Sequence, residues 1–320
     1  MGGNVFKDNR RMESKKEFYS VYGEQHKFLS SKNIHEFIEL PRQIESKTSF
    51  GDMDLVVNID KLETYKSKLI DAGYPFSRNG IVLSYQTPEK YQIDLIGIDK
   101  DKLNYALRYF SFGDHGNILG RLLKFQFKLK HGFNGLSCEF IKDLPNYRRL
   151  IELSYVYDDI LDLLKLNKYK FIEGFETEEE LFDWIYESPY MNTTIYSFDK
   201  LKTSDAKRDK KRKFYCRWLD YLKTKPKKEY VLPREEKEYI LDTEYPQLGI
   251  ALFIYENDYK NLVDYRNKFN RNIVKELLKI DNEEFGNFMR SFKATYSQSD
   301  INDLTADEVK ELILNHNVNL

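Results

Sequence analysis

The chain has 320 residues and a mass of 38.3 kDa, and its 51 Lys and Arg against 52 Asp and Glu leave a net charge of −1, so any electrostatic footprint has to be regional. Its two cysteines exclude a disulfide framework and a zinc-finger spacing, which fits a reducing intracellular compartment. No apolar run reaches the length of a membrane span, no partner membrane is expected, and the opening residues lack the apolar segment of a signal peptide.

Residues 13–31 read as a polar helix with Phe18, Val21, Tyr22 and Leu29 as its apolar positions. Residues 34–40 read as a short strand stopped by Pro41. "SFGDMDLVVNID", starting at Ser49, is a turn feeding a strand at residues 55–57. Residues 61–72 form a surface helix closed by Gly73. "IVLSYQT" and "YQIDLIGI", joined by the turn "TPEK", make an antiparallel hairpin. "GDHGNILGRLLKFQFKLKHG" reads as one helix, with Asp114 as N-cap and Gly132 as stop. "RRLIELSYVYD" alternates as a strand, and "TEEELFDWI" opens a helix through a capping box of Thr177 and Glu180. From residue 200 to residue 228 stand 13 Lys and Arg against three Asp, an excess of ten. Beyond it the pattern is helical, ending in "TADEVKELIL" with a capping box of Thr305 and Glu308. The composition change sets the expected division: a mixed α/β catalytic region over 1–198 and a basic, mainly helical region over 199–320.

The acids carry the chemistry. Residues i and i+2 of a strand share a face, so Asp52 and Asp54 present two carboxylates side by side. Both stay ionised only with a cation between them or with solvent screening. Asp94 sits in the middle of an apolar strand, where a carboxylate needs a partner. If that strand lies beside residues 55–57, the three acids form a cluster suited to two Mg2+ ions, with Mn2+ as a substitute, and to in-line displacement at phosphorus. The plainer reading is that Asp52 caps a turn after Gly51 and Asp94 pairs with a lysine.

"KTSFGDMDLVV" followed by "YQIDLI" resembles the palm of the DNA polymerase beta-like nucleotidyltransferases (polymerase family X), over roughly residues 40–190. The resemblance implies an α+β palm with a mixed or antiparallel sheet. It makes Asp52 and Asp54 ligands of both metals and Asp94 the third ligand and base. "YALRYFSFGDHGN" is similar to the family's Tyr-Phe-Thr-Gly-Ser segment. Tyr109, Phe110 and Ser111 then lie against the nucleotide's sugar and Asn117 reaches its base, with Gly51, Lys47 and Arg42 beside the phosphates. The chain departs from the family in three ways. It has no Gly-Ser pair upstream of the aspartates, it carries Phe112-Gly113 where the sugar segment has Gly-Ser, and it lacks helix-hairpin-helix modules.

The expected activity is transfer of a nucleoside monophosphate from an NTP or dNTP to a hydroxyl, with nucleic acid as the favoured acceptor. A template-directed repair polymerase and an inactive nucleic-acid-binding scaffold on a degenerate palm are the alternatives. In the basic run, Lys210, Lys211, Lys213 and Arg217 suit a phosphate backbone, and the interleaved aromatics suit base stacking. Phe214, Trp218, Tyr221 and Leu222 also recur at helical spacing, which reads as a buried stripe with solvated lysines. The glycines at 113, 116 and 120 lack the Gly-Lys-Ser/Thr of a P-loop and read as a turn with close packing. Arg121, Lys124 and Lys128 read equally as a phosphate-facing row or a solvated face. His115 and His131 lack metal-ligand spacing.

Overall fold

The computed structural model describes residues 5–30, 36–144 and 147–318. The start of the strand expected from residue 34 lies outside them. The chain divides into two compact units, residues 1–138 with 152–244 and residues 139–151 with 245–320.

In the first unit, α1 (Lys15–Leu29) starts at Ser14, whose side chain accepts the Glu17 N–H. Five strands follow: β1 (Ile38–Glu39), β2 (Met53–Asn58), β3 (Phe76–Asn79), β4 (Val82–Gln86) and β5 (Gln92–Ile98). They form a mixed sheet in the order β1-β2-β5-β4-β3. The β4–β5 pair is the expected antiparallel hairpin, whereas β2 and β5 run parallel. β3 shows no alternation because all four of its residues are exposed. The helix after β2, α2 (Leu62–Asp71), ends before Gly73 as expected.

Strand alternation gives the sheet two different faces. Met53, Leu55 and Val57 of β2, with Ile93 and Leu95 of β5, pack on Phe18, Val21 and Leu29 of α1 and on Leu62, Tyr65 and Leu69. Val56, Ile96 and Ile98 point the other way, onto Leu103 and Ala106 of α3 (Leu103–Phe110). The acids of β2 and β5 stand on this second face, in the same alternating rows as Val56 and Ile96.

After α3 the chain makes a tight turn in which Phe112 and Gly113 both take positive φ, 52° and 78°. Gly113 has a second reason to lack a side chain, since a Cβ there would meet the Phe214 ring at 2.9 Å. The helix read over residues 113–132 is shorter than expected. α4 (His115–Phe127) stops where Lys128 adopts the left-handed conformation, and residues 129–132 instead form β6 (Leu129–Gly132). Leu129 and His131 point inward while Lys130 points out, a two-residue period that Gly132 hid at the sequence level. Asp114 stands at the helix start but does not cap it. β6 pairs with the base of β7 (Gly135–Ile141), and β8 (Arg148–Ser154) completes a three-stranded sheet.

The two histidines are packing groups. His115 lies 2.6 Å from the Tyr157 hydroxyl and His131 lies 2.6 Å from the Tyr105 hydroxyl. Burial pushes them down to about 4 and about 3, so both are neutral at pH 7.

The remaining helices of this unit are α5 (Tyr157–Leu163), α6 (Lys168–Glu173), α7 (Glu178–Tyr186), α8 (Thr203–Asp209), α9 (Lys213–Thr224) and α10 (Arg234–Glu244). Thr177 caps α7 by accepting the Glu180 N–H, while the Glu180 carboxylate accepts from Glu176 rather than Thr177. The composition break at 198/199 therefore does not divide the fold, because residues 199–244 belong to the first unit. The cause is the aromatic stripe of the basic run. Tyr215, Trp218 and Tyr221 are buried, Trp218 lies 5.3 Å from both Phe182 and Tyr196, and Tyr215 donates to the Tyr196 carbonyl.

The second unit is helical around Phe269, Val274, Phe288, Phe292, Ile301, Val309 and Ile313. Its helices are α11 (Pro246–Lys268), α12 (Arg271–Leu278), α13 (Asn282–Thr295), α14 (Gln298–Asn302) and α15 (Ala306–Val318). Thr305 and Glu308 make the expected reciprocal capping box. The outer parts of β7 and β8 attach to α11, where Tyr147 donates to the Tyr255 carbonyl and Lys142 pairs with Glu256 at 2.7 Å. Among the described residues, no helix is long and apolar enough to cross a membrane.

Trp218→Ala should lower the stability of the first unit by about 3–5 kcal/mol, the cost of a large cavity in a packed core. Lys210→Ala should change it by less than about 0.5 kcal/mol. Denaturant unfolding followed by circular dichroism decides this, and equal effects of the two substitutions would return the stripe to the surface.

Candidate metal centre

The parallel register of β2 and β5 pairs Asp54 with Asp94 across the two strands, and Asp52 precedes β2 by one residue. One carboxylate oxygen from each of Asp52, Asp54 and Asp94 lies within 4.8 Å of the others. Gly51, next to Asp52, sits under the Arg11 guanidinium, where a Cβ would meet Nη1 at 2.8 Å.

The three acids are not equivalent. Asp94 is 1% exposed and its two oxygens accept from Gln92 Nε2 at 2.9 and 3.1 Å. Gln92 is held in turn by the N-terminal strap, since its Oε1 accepts from Asn9 Nδ2 at 2.7 Å and from the Val5 N–H at 3.0 Å. Burial raises the Asp94 carboxyl, Ser84 across the sheet lowers it, and the Asp52 charge raises it again. Asp54 has no such support: its Oδ1 is buried without a hydrogen-bond partner. Burial first, then the charges of Asp52 and Asp94, push its carboxyl up to about 8. An orphaned buried carboxylate oxygen beside two further acids is the donor set of a hard divalent cation, so the group could hold a metal ion.

Asp52 and Asp54 line a cleft of about 410 Å³, while Asp94 sits behind it. Five cations, Arg11, Lys47, Arg212, Lys213 and Arg217, line the same cleft, with Asp114 and Glu178 as its remaining acids. Lys47 donates to Gln43 at 2.8 Å and its ammonium lies 4.7 Å from the Phe50 ring. An adjoining pocket of about 310 Å³ shares Ile96, Phe110, Gly113, Asp114 and Arg212 with the cleft and adds Tyr109, Asn117 and Phe133. Tyr109 and Phe110 thus reach the site. Asn117 does too, with Asp209 and Arg208 beside its amide at 3.5 and 3.4 Å.

Two of the expected site residues face elsewhere. Arg42 turns away to cap α6, donating to the carbonyls of Phe171, Ile172 and Glu173 at 3.2, 2.5 and 2.7 Å, and it stacks over Phe112. Last-turn carbonyls are strong acceptors and hold the guanidinium there. Ser111 is buried; it donates to the Leu107 carbonyl and accepts from the Arg42 N–H.

The basic run is largely neutralised within the first unit. Arg208 meets Asp205 and Asp209, Arg212 meets Asp114, Arg217 meets Glu178, and Lys223, Lys225 and Lys227 meet Asp220, Asp183 and Glu229. Of the expected nucleic-acid residues, Lys213 and Arg217 line the cleft and Lys210 lies over the Phe198 ring. Lys210 and Lys211 have no carboxylate partner among the described residues. Sequence reasoning missed Gln92, Arg11, Arg212, Asp114 and Glu178 as site residues. Gln92 alone had a signal, being two residues before Asp94 on the same strand face.

No protein-family model matches the chain, and no curated protein matches it.

The raised Asp54 carboxyl carries a pH signature. Its unfolded value is near 3.8, so between pH 3.8 and about 8 the metal-free folded state holds a proton that the unfolded chain has released. Metal-free stability should therefore fall as pH rises through that window. Asp54→Asn should remove this slope and stabilise the metal-free protein at pH 8 by on the order of 2 kcal/mol, with little change at pH 4. Unfolding in EDTA at the two pH values measures it, and a variant less stable than wild type at pH 8 would contradict the like-charge picture.

Proposed function

We propose that the chain is a metal-dependent nucleotidyltransferase, moving a nucleoside monophosphate from an NTP or dNTP to a hydroxyl acceptor. The observation that carries the reading is the three-carboxylate group of Asp52, Asp54 and Asp94 at a cleft that five cations, Arg11, Lys47, Arg212, Lys213 and Arg217, also line. The similarity of "GDMDLVV" and "YQIDLI" to the polymerase beta-like palm supports it, as does the parallel β2–β5 register that brings the third acid to the first two.

In the reaction the acceptor oxygen bonds to the α-phosphorus, the bond to the bridging oxygen breaks, and pyrophosphate leaves. Asp52, Asp54 and Asp94 would hold Mg2+ or Mn2+. When bound, such ions lower the pKa of an attacking hydroxyl and neutralise charge on the leaving group. The protein's own part is placement and proton handling. By the resemblance Asp94, held by Gln92 and raised by burial behind the two acids that line the cleft, would take the acceptor proton. Tyr109 and Phe110 offer an apolar wall for the nucleoside, with Asn117 at its edge. Lys210 and Lys211, outside the cleft lining and without carboxylate partners among the described residues, are among the cations left for a nucleic-acid acceptor.

Radiolabelled NTPs and dNTPs, offered with Mg2+ or Mn2+ and a panel of hydroxyl acceptors, test the reading. Asp52→Asn and Asp54→Asn should each lower transfer by a factor of at least about 10² to 10³ while the protein stays folded. Near wild-type turnover in either variant would remove the acids from the chemistry.

A further inference from the structure

The five cations of the cleft do not belong to one motif. Arg11 comes from the N-terminal strap, Lys47 from the turn before β2, and Arg212, Lys213 and Arg217 from the start of α9. Three of them, Arg11, Lys47 and Lys213, have no carboxylate within 4 Å among the described residues. The other two are paired only in part. Arg212 gives Nη1 to Asp114 at 2.7 Å, and Arg217 gives Nε and Nη2 to Glu178 at 2.5 and 2.7 Å, so each guanidinium keeps further N–H groups.

Two more features make this wall suited to an anion. The first turn of α9 carries no side-chain cap, so its N–H groups are left without intrahelical partners beside Arg212 and Lys213. The same cleft is lined by Asp54, whose buried Oδ1 has no hydrogen-bond partner and suits a cation. A cleft lined both by cations with N–H groups to spare and by a carboxylate oxygen open to a cation matches one ligand chemistry, a polyphosphate chelating a divalent ion.

A buried anchor lies beside these residues. Asp209, at the end of α8, is fully buried, and burial pushes its carboxyl up, but the guanidiniums of Arg208 and Arg121 outweigh that and hold it below its usual value. Its Oδ2 accepts from Arg121 of α4, which ties the end of α8 to the body of the fold, and Arg212 Nε lies 3.9 Å from its Oδ1.

We infer that Arg11, Arg212, Lys213 and Arg217 form the binding wall for the polyphosphate arm of the nucleotide donor. This inference rests on the nucleotidyl-transfer reading and deepens it, giving the start of α9 the role that the chain's missing Gly-Ser pair leaves open. Within the basic run, it assigns these residues to the donor rather than to a polynucleotide. The cleft volume of about 410 Å³ suits a nucleotide-sized ligand, and a polynucleotide backbone threading it would pass four carboxylates, Asp52, Asp54, Asp114 and Glu178.

The test is calorimetric titration of the full chain with inorganic tripolyphosphate and Mg2+. Lys213→Ala with Arg217→Gln should weaken binding at least tenfold, as expected for losing charge-assisted hydrogen bonds. Arg11→Gln with Lys213→Ala touches no carboxylate pair and should weaken it similarly, which keeps the test valid if Arg217 matters for folding. Lys223→Ala with Lys227→Ala, on exposed lysines that lie outside the cleft lining and pair with Asp220 and Glu229, should leave it within twofold. Unchanged affinity in both cleft variants overturns the wall. A single-stranded oligonucleotide that binds more tightly than tripolyphosphate, and loses affinity in the same cleft variants, overturns the assignment to the donor. Mn2+ binding, followed by electron paramagnetic resonance, should persist in the cleft variants and vanish in Asp54→Asn. This arm reports on the transferase reading and the tripolyphosphate arm on the wall, so either can fail alone.

Discussion

Two strands hydrogen-bonded in parallel lie about 4.8 Å apart, and in this chain that spacing forces Asp54 and Asp94 to face each other on the same side of the sheet. Neither can move away, because Leu55 and Leu95, one residue further on, are locked into the opposite core. With Asp52 added by the turn at Gly51, three like charges share a space that α3 and the sheet partly dry. Such an arrangement is stable only with a proton or a cation in it. The surroundings follow from this. Gln92 and Ser84 support Asp94, the N-terminal strap supports Gln92, and Asp54 is left with an unmatched oxygen.

The second organising feature is how positive charge is divided. A run with an excess of ten looks like a polyanion patch when counted along the chain. Folded, it becomes pairs with acids drawn from outside the run, among them Asp114, Glu178, Asp183 and Glu229. Exposed pairs of this kind add little stability. The buried Asp209 is different, because removing it would leave the largely buried Arg121 as an uncompensated charge near the core. What survives pairing among the described residues is cations at the cleft and several lysines beyond it, among them Lys202, Lys207, Lys210 and Lys211.

Elements whose evidence is short-range were legible. The caps at Thr177 and Thr305, the Gly73 stop, the hairpin at Pro88 and the Trp218 and Tyr221 part of the buried stripe of α9 all follow from residues within one or two turns of each other. Where a long-range partner decided, the reading failed. β6 reads as helix in the sequence because its register is set by β7, and the composition break at 198 is not a fold boundary because the aromatic packing on Phe182 and Tyr196 does not show in composition. Asp114 held the position of a cap, but Arg212, 98 residues away, claimed its carboxylate.

By itself the sequence determined that Asp52 and Asp54, two residues apart, share a face, which depends only on backbone periodicity, while the parallel pairing of β2 with β5 brought Asp94 to them. The tertiary structure alone decided which cations join them. Arg42, adjacent in sequence, is captured by the carbonyl end of α6, while Arg11, Arg212, Lys213 and Arg217 arrive from distant segments. The reason is physical: a strand fixes where its own side chains point, but a long charged side chain goes to whichever acceptors the fold leaves unsatisfied.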